Sequence, residues 1–103
     1  MKPHITTQLN KILDNRVRLG IMSVLMVNDW ADFNQLKEML GLSDGNLASH
    51  LNTLEKEQYV EVKKEFVGRK PRTTYSVTAS GRQAFEEHLN VLEKLIKQLP
   101  DSK

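Results

Sequence analysis

The 103-residue chain has no cysteine. Disulfides, thiolate metal sites and cysteine nucleophiles are therefore excluded, and stability has to come from packing. No apolar run approaches the roughly 18 residues that a membrane span requires. The opening MKPHITTQLN also lacks the basic-then-apolar run of a secretory signal, so a cytoplasmic protein is expected. Charge of one sign is scarce: 15 Lys and Arg against 13 Asp and Glu leave a net +2. Such a balance permits an anionic partner without demanding one, because distribution matters more than the sum. Repeats, linkers and low-complexity tracts are missing. His4, His50 and His88 fall in different elements without ligand spacing. There is no phosphate loop, no G-x-S-x-G elbow and no paired carboxylate site. The expectation is a protein that is not an enzyme, with no metal and no cofactor.

A hydrophobic share of 39% beside 27% charged residues is that of an ordinary folded chain. The length fits one domain, residues 1–103, with a modest core. Ile5, Leu9, Ile12 and Leu13 at helical spacing predict a short first helix within residues 1–14, closed by Asp14-Asn15. Val17, Ile21, Val24 and Leu25 then place one apolar stripe on a helix reaching about Val27. Asp32 suits the N-cap of a further helix carrying Phe33, Leu36 and Leu40, and Gly41 suits its left-handed end. Only Leu42 separates that glycine from Ser43, a candidate N-cap for a helix with Leu47, Leu51 and Leu54. Two helices meeting across so tight a turn, residues 33–57, have the form of a helix-turn-helix.

From Tyr59 the period changes from 3.6 to 2, which predicts a strand with Val60, Val62, Lys64 and Phe66 on one side. A second strand, Thr73 to Val77, follows a loop expected at residues 67–72, and together they make a two-stranded ribbon at residues 59–77. Thr78 caps a last helix, residues 78–99, in which Phe85, Leu89, Leu92, Ile96 and Leu99 recur every three or four positions before Pro100.

The order of these elements, and Asp32-Phe33-Asn34-Gln35-Leu36-Lys37, Leu42 through Leu51, Phe66 through Tyr75 and Thr78-Ala79-Ser80-Gly81-Arg82 within it, resembles a known group. It is that of the small winged helix-turn-helix transcriptional regulators, MarR/ArsR-like, and among them the compact winged helix DNA-binding domain family. The resemblance spans about residues 15–99. It implies a mainly α fold with a two-stranded β-wing, N- and C-terminal dimerisation helices, and regulation of transcription. Relatives usually carry glycine before the first wing strand, where this chain has Gln58. Gln58 then either adopts a left-handed conformation at a modest cost or ends the helix by another geometry.

With the leucines facing the core, the opposite arc of the second helix of the pair holds Gly45, Ser49, Asn52, Thr53 and Lys56, flanked by Asn46 and His50. Short polar side chains let a helix sit deep in a major groove, where Asn pairs with adenine and Ser or Thr meet either base edge or a phosphate. Asn46, Ser49 and Thr53 are the candidates for base readout. Ser43, Gly45, His50, Asn52, Lys56, Lys63, Lys64 and Lys70 are candidates for the flank or phosphates. Arg69 and Arg72 are candidates for a minor groove, whose narrow form attracts guanidinium. The resemblance covers the A-S-H-L segment, and packing or a phosphate contact suits His50 better than base readout. The bland alternative is a solvated helix beside a soluble, charged sheet edge. Arg16 and Arg18 fit either phosphate contact or solvation.

The stripe of the last helix is long for so small a core. Ile5, Leu9 and Ile12 with Phe85, Leu89, Leu92, Ile96 and Leu99 are therefore candidates for a homodimer interface. The partners expected are double-stranded DNA, as a palindromic operator, and a second copy of the chain. No membrane partner is expected, and no effector is assigned. Met22, Met26 and Trp30 suit either a small pocket or plain core filling. The rival function is a winged helix that binds partner proteins without specific DNA binding.

Overall fold

The computed structural model describes residues 9–97. In chain order these form α1 (Arg16–Val27), β1 (Ala31–Asp32), α2 (Phe33–Leu40), α3 (Asp44–Lys56), β2 (Val60–Val67), β3 (Lys70–Val77) and α4 (Ala79–Lys97). Each helix starts where a side chain can satisfy the free N–H groups of its first turn. The Asn15 side chain accepts from the Val17 and Arg18 amides at 3.0 Å each. Asp32 and Gln35 close a reciprocal capping box, each accepting from the other's backbone at 2.8 and 2.9 Å. Ser43 Oγ accepts from the Asn46 amide, and Thr78 Oγ1 accepts from the Gly81 amide at 2.9 Å.

The ends are equally local. Gly41 stops α2 in the left-handed region. Gln58 does the same after α3 at φ 62°, so the chain takes the left-handed alternative despite lacking glycine. The Tyr59 amide donates to Leu54 O and the Gln58 amide to Glu55 O, the bond pair of a Schellman motif. A side chain at that φ costs about 1–2 kcal/mol, which the two bonds and the burial of Val60 offset.

The core is one cluster. Ile21, Met22 and Leu25 of α1, Leu36 of α2, Leu47, Leu51 and Leu54 of α3, Val60 of β2, and Ala84 and Phe85 of α4 meet around Leu13. Each fully buried leucine contributes on the order of 1.5–3 kcal/mol by leaving water. The apolar spacings read from α1, α2 and α3 are thus the faces that pack.

Three expectations are amended. The two-stranded wing is present as β2 and β3, and β1 adds a third strand to its sheet in the antiparallel order β1-β3-β2, with Ala31 opposite Tyr75 and Asp32 opposite Thr74. A two-residue strand has no period to read. Next, the loop expected at 67–72 is only the turn Gly68-Arg69, because Val67 pairs with Lys70 and Phe66 with Pro71. Of the two turn residues only Gly68 has positive φ, at 66°, the pattern of a type II′ turn that matches the strand twist. Counting from the closing Val67–Lys70 pair, Pro71 lies at a non-hydrogen-bonded position. Its missing N–H is therefore not required by the ladder, and β1 does not reach that far.

The third concerns the first helix, of which residues 1–8 lie outside the described residues. Residues 11–13 form a turn in which the Asn10 side chain accepts from the Ile12 and Leu13 amides. This turn sends Leu13 into the core.

Candidate nucleic-acid interface

α3 buries Leu47, Leu51 and Leu54 and turns Ser43, Gly45, Asn46, Ser49, Asn52 and Lys56 to solvent. Nothing among the described residues covers this arc. Thr53 is half-buried, and its hydroxyl donates to Ser49 O one turn back at 3.2 Å. Its donor is thus used within the helix, and the hydroxyl keeps acceptor capacity for an outside partner. Across the turn, Lys37 and Asp44 form an exposed ion pair at 2.8 Å, a surface pair of small energetic weight. The start of α3 shares a shallow cleft with the start of α1, lined by Arg16, Val17, Leu40, Gly41, Leu42 and Asn46. Arg16, which fits two roles in the sequence, therefore lies beside the first of the three base-readout candidates.

Arg18 has the opposite fate. Its Nε donates to Ile12 O at 2.6 Å and its Nη1 meets His50 Nδ1 at 3.0 Å. Burial and then the Arg18 charge hold the His50 pKa below its ordinary value. A neutral ring accepting at Nδ1 keeps its proton on Nε2. His50 is thus a fixed flank group on α3, tied through Arg18 to the N-terminal turn.

The hairpin stands beside α3, with β2 entering the core at Val60. Strand alternation and register put Lys64 and Phe66 on the Val60–Val62 face, with Pro71, Thr73 and Tyr75 opposite them. Lys63, Lys70 and Arg72 lie on the other face. Lys63 is 3.6 Å from Glu65, whereas Lys64, Arg69 and Lys70 are exposed and have no ion pair among the described residues. Arg72 is not at the tip. It sits over the Trp30 ring at 4.3 Å from the centroid and 3.9 Å from Asp32, half-buried in the third cross-strand pair from the turn, opposite Glu65, where cation–π stacking and charge hold it. Of the two arginines read as minor-groove residues, only Arg69 is at the turn. Trp30, 42 residues away in sequence, was not recognisable as the partner of Arg72.

The dimer candidates divide as well. Phe85 is 7% exposed and belongs to the protomer's own core, so it has little surface to give a partner. Ile12 packs against the same core, and Leu9 and Leu92 are half-buried. Leu89 and Ile96 remain exposed, while Ile5 and Leu99 lie outside the described residues. Sequence reading missed Asn10 altogether. Its amide donates to the buried His88 Nδ1 at 3.2 Å and its Nδ2 to the Tyr59 hydroxyl at 2.9 Å, strapping the N-terminal turn to α4. Met22 is core filler, and Trp30 is a support for Arg72.

Two helices crossing at a tight corner, an uncovered polar face on the second, and a cationic hairpin at its side define a winged helix, a fold that binds DNA by inserting that second helix. Comparison with known proteins agrees. The chain belongs to the winged helix DNA-binding domain family, whose model matches residues 17–96. It is 37% identical over 89 residues to an uncharacterized protein of Methanocaldococcus jannaschii, MJ0432, covering 86% of this chain and 97% of that one. A transcriptional regulator homologue from Pyrococcus horikoshii superimposes with a TM-score of 0.81 at 35% identity over 90% of both chains. Diamide-treated YodB of Bacillus subtilis has a TM-score of 0.76 at 21% identity, covering 87% of this chain and 88% of its own, and shares the fold.

Proposed function

We propose that the protein is a sequence-specific, double-stranded DNA-binding transcriptional regulator of the cytoplasm that works as a homodimer and represses by occupying a promoter. The observation that carries this reading is the solvent face of α3, where Asn46, Ser49 and Asn52 are exposed opposite a fully packed leucine stripe. The relative from Pyrococcus horikoshii, described as a transcriptional regulator homologue, supports the regulatory part. In the complex α3 lies in the major groove. Asn46 pairs with adenine, Ser49 bonds a base edge, and the Thr53 methyl meets a thymine methyl. Ser43, Gly45, His50, Asn52, Lys56, Lys63, Lys64 and Lys70 line the flanking phosphates, joined by Arg16, and Arg69 enters the minor groove.

Fragments selected from random DNA supply the site for the test. On it, Asn46→Ala should relax preference at one base pair, costing about 1–3 kcal/mol there. Lys70→Ala should weaken selected and random duplexes alike. Equal losses on both kinds of duplex for Asn46→Ala would remove it from base readout.

The dimer is supported by the uncovered apolar residues of α4, Leu89 and Ile96, with Leu92 between them and Leu9 on the N-terminal segment. Two-fold pairing through this face puts the two α3 helices in successive major grooves, on a palindrome with half-sites roughly 10 bp apart or a multiple. Leu92→Glu is expected to shift the mass seen by light scattering toward the monomer and to weaken binding to a two-half-site duplex. Retention of the dimer mass would rule out this seam.

A further inference from the structure

Phe66 is 75% exposed near the tip of the hairpin, far from any role in the core. Its cross-strand partner is Pro71, and the two-residue turn puts this pair at a non-hydrogen-bonded position, where facing side chains approach most closely. Both rings therefore lie on one face of the wing, next to Lys64 on the same strand. Val67, 55% exposed, follows on the opposite face with its cross-strand partner Lys70, and Arg69 lies at the turn itself. The tip thus exposes apolar side chains together with Lys64 on the Phe66 face, Lys70 on the opposite face and Arg69 at the turn, three cations that have no ion-pair partner among the described residues. Two such tips repel each other, and a polyanion attracts both. Charge complementarity picks a nucleic acid as the occupant over a second copy of this chain.

We propose that Phe66, backed by Pro71, is a wedge that the wing presses into the minor groove against one base step beside the half-site, while Arg69 lies along the groove. This inference rests on the DNA-binding reading above and adds to it a deformation of the duplex. An apolar side chain pushed between base steps unstacks them in part and kinks the DNA toward the major groove. Pyrimidine–purine steps, TA and CA/TG, yield most easily. The wedge therefore extends sequence preference to a step that α3 never touches. The sequence marks Phe66 only as one residue of a strand, because its exposure follows from how far the hairpin outruns the core.

The experiment measures end-to-end energy transfer in a doubly labelled duplex carrying the selected site, with either TA or GG at the flanking step. Wild type is expected to shorten the end-to-end distance and to favour the TA flank. Phe66→Ala should bind about tenfold more weakly, lose most of the bend, and bind both flanks alike. Phe66→Leu should keep the bend, since leucine also wedges. The exposed position leaves the fold intact, so the thermal midpoint of Phe66→Ala should match wild type. An unchanged bend and affinity for Phe66→Ala, on DNA that wild type binds tightly, overturns the wedge alone. A fall in protein mass on Phe66→Ala also overturns it, by assigning the ring to a second copy. Failure of wild type to bind any duplex overturns the wedge and the DNA-binding reading together.

Discussion

Gly81→Ala is expected to lower the midpoint of thermal unfolding by about 12–24 °C, from a loss of about 3 kcal/mol in a domain of this size. Ordinarily alanine improves a helix position held by glycine by about 1 kcal/mol. Here the new methyl group would overlap Tyr59 O and stand 2.8 Å from Tyr59 C. Those atoms are backbone and cannot swing aside. Tyr59 O also accepts from the Thr78 amide at 3.0 Å, and Thr78 Oγ1 both donates to Gln58 O and caps α4 at Gly81. Relief of the overlap would part α4 from the junction of α3 and β2 and break these bonds together. Gly45→Ala is the matched control. A Cβ there meets nothing within 4 Å, and the midpoint should hold or rise slightly. A Gly81→Ala midpoint within about 3 °C of wild type would show that the close approach does not govern stability.

Raising salt from 50 to 200 mM should weaken binding to the selected duplex by about 10³–10⁵-fold, as for proteins that neutralise about 6–10 phosphates. Arg16, Lys56, Lys64, Arg69 and Lys70 are exposed and have no ion pair among the described residues. These five, the ones on the proposed DNA-facing surface, make ten in a dimer and reach the upper end of that range. The double variant Arg69→Gln, Lys70→Gln removes four of them from a dimer and should make the log–log salt slope shallower by about 3–4. Lys97→Gln alters a lysine paired with Glu93 at 2.9 Å on α4, and the slope should stay as it is. A wild-type slope shallower than about −2 would favour the rival reading of a protein-interaction module, since few phosphates would then be engaged.

Much of the fold that presents the candidate site is legible in the sequence, for a reason visible in particular residues. Asn15, Asp32, Ser43 and Thr78 act on amides two or three positions ahead, so each signal and its target lie in the same short stretch. The leucines of α3 fix its inner face by spacing alone, and the outer face follows by exclusion. Phe85 shows where this logic stops. Its spacing matches that of Leu89 and Ile96, yet one ring is in the core and the other two side chains are in solvent.

Local pattern therefore determined the kind and order of the helices, the hairpin, and which arc of α3 is polar. Tertiary structure alone decided that Arg72 lies on Trp30 and not at the turn, that Arg18 holds His50, that Asn10 locks onto His88, and that Phe66 projects free. Caps and stripes are satisfied within a turn or two of chain, so sequence encodes them directly. Partners 32, 42 or 78 residues apart are chosen by where packed elements bring side chains, which no local period records.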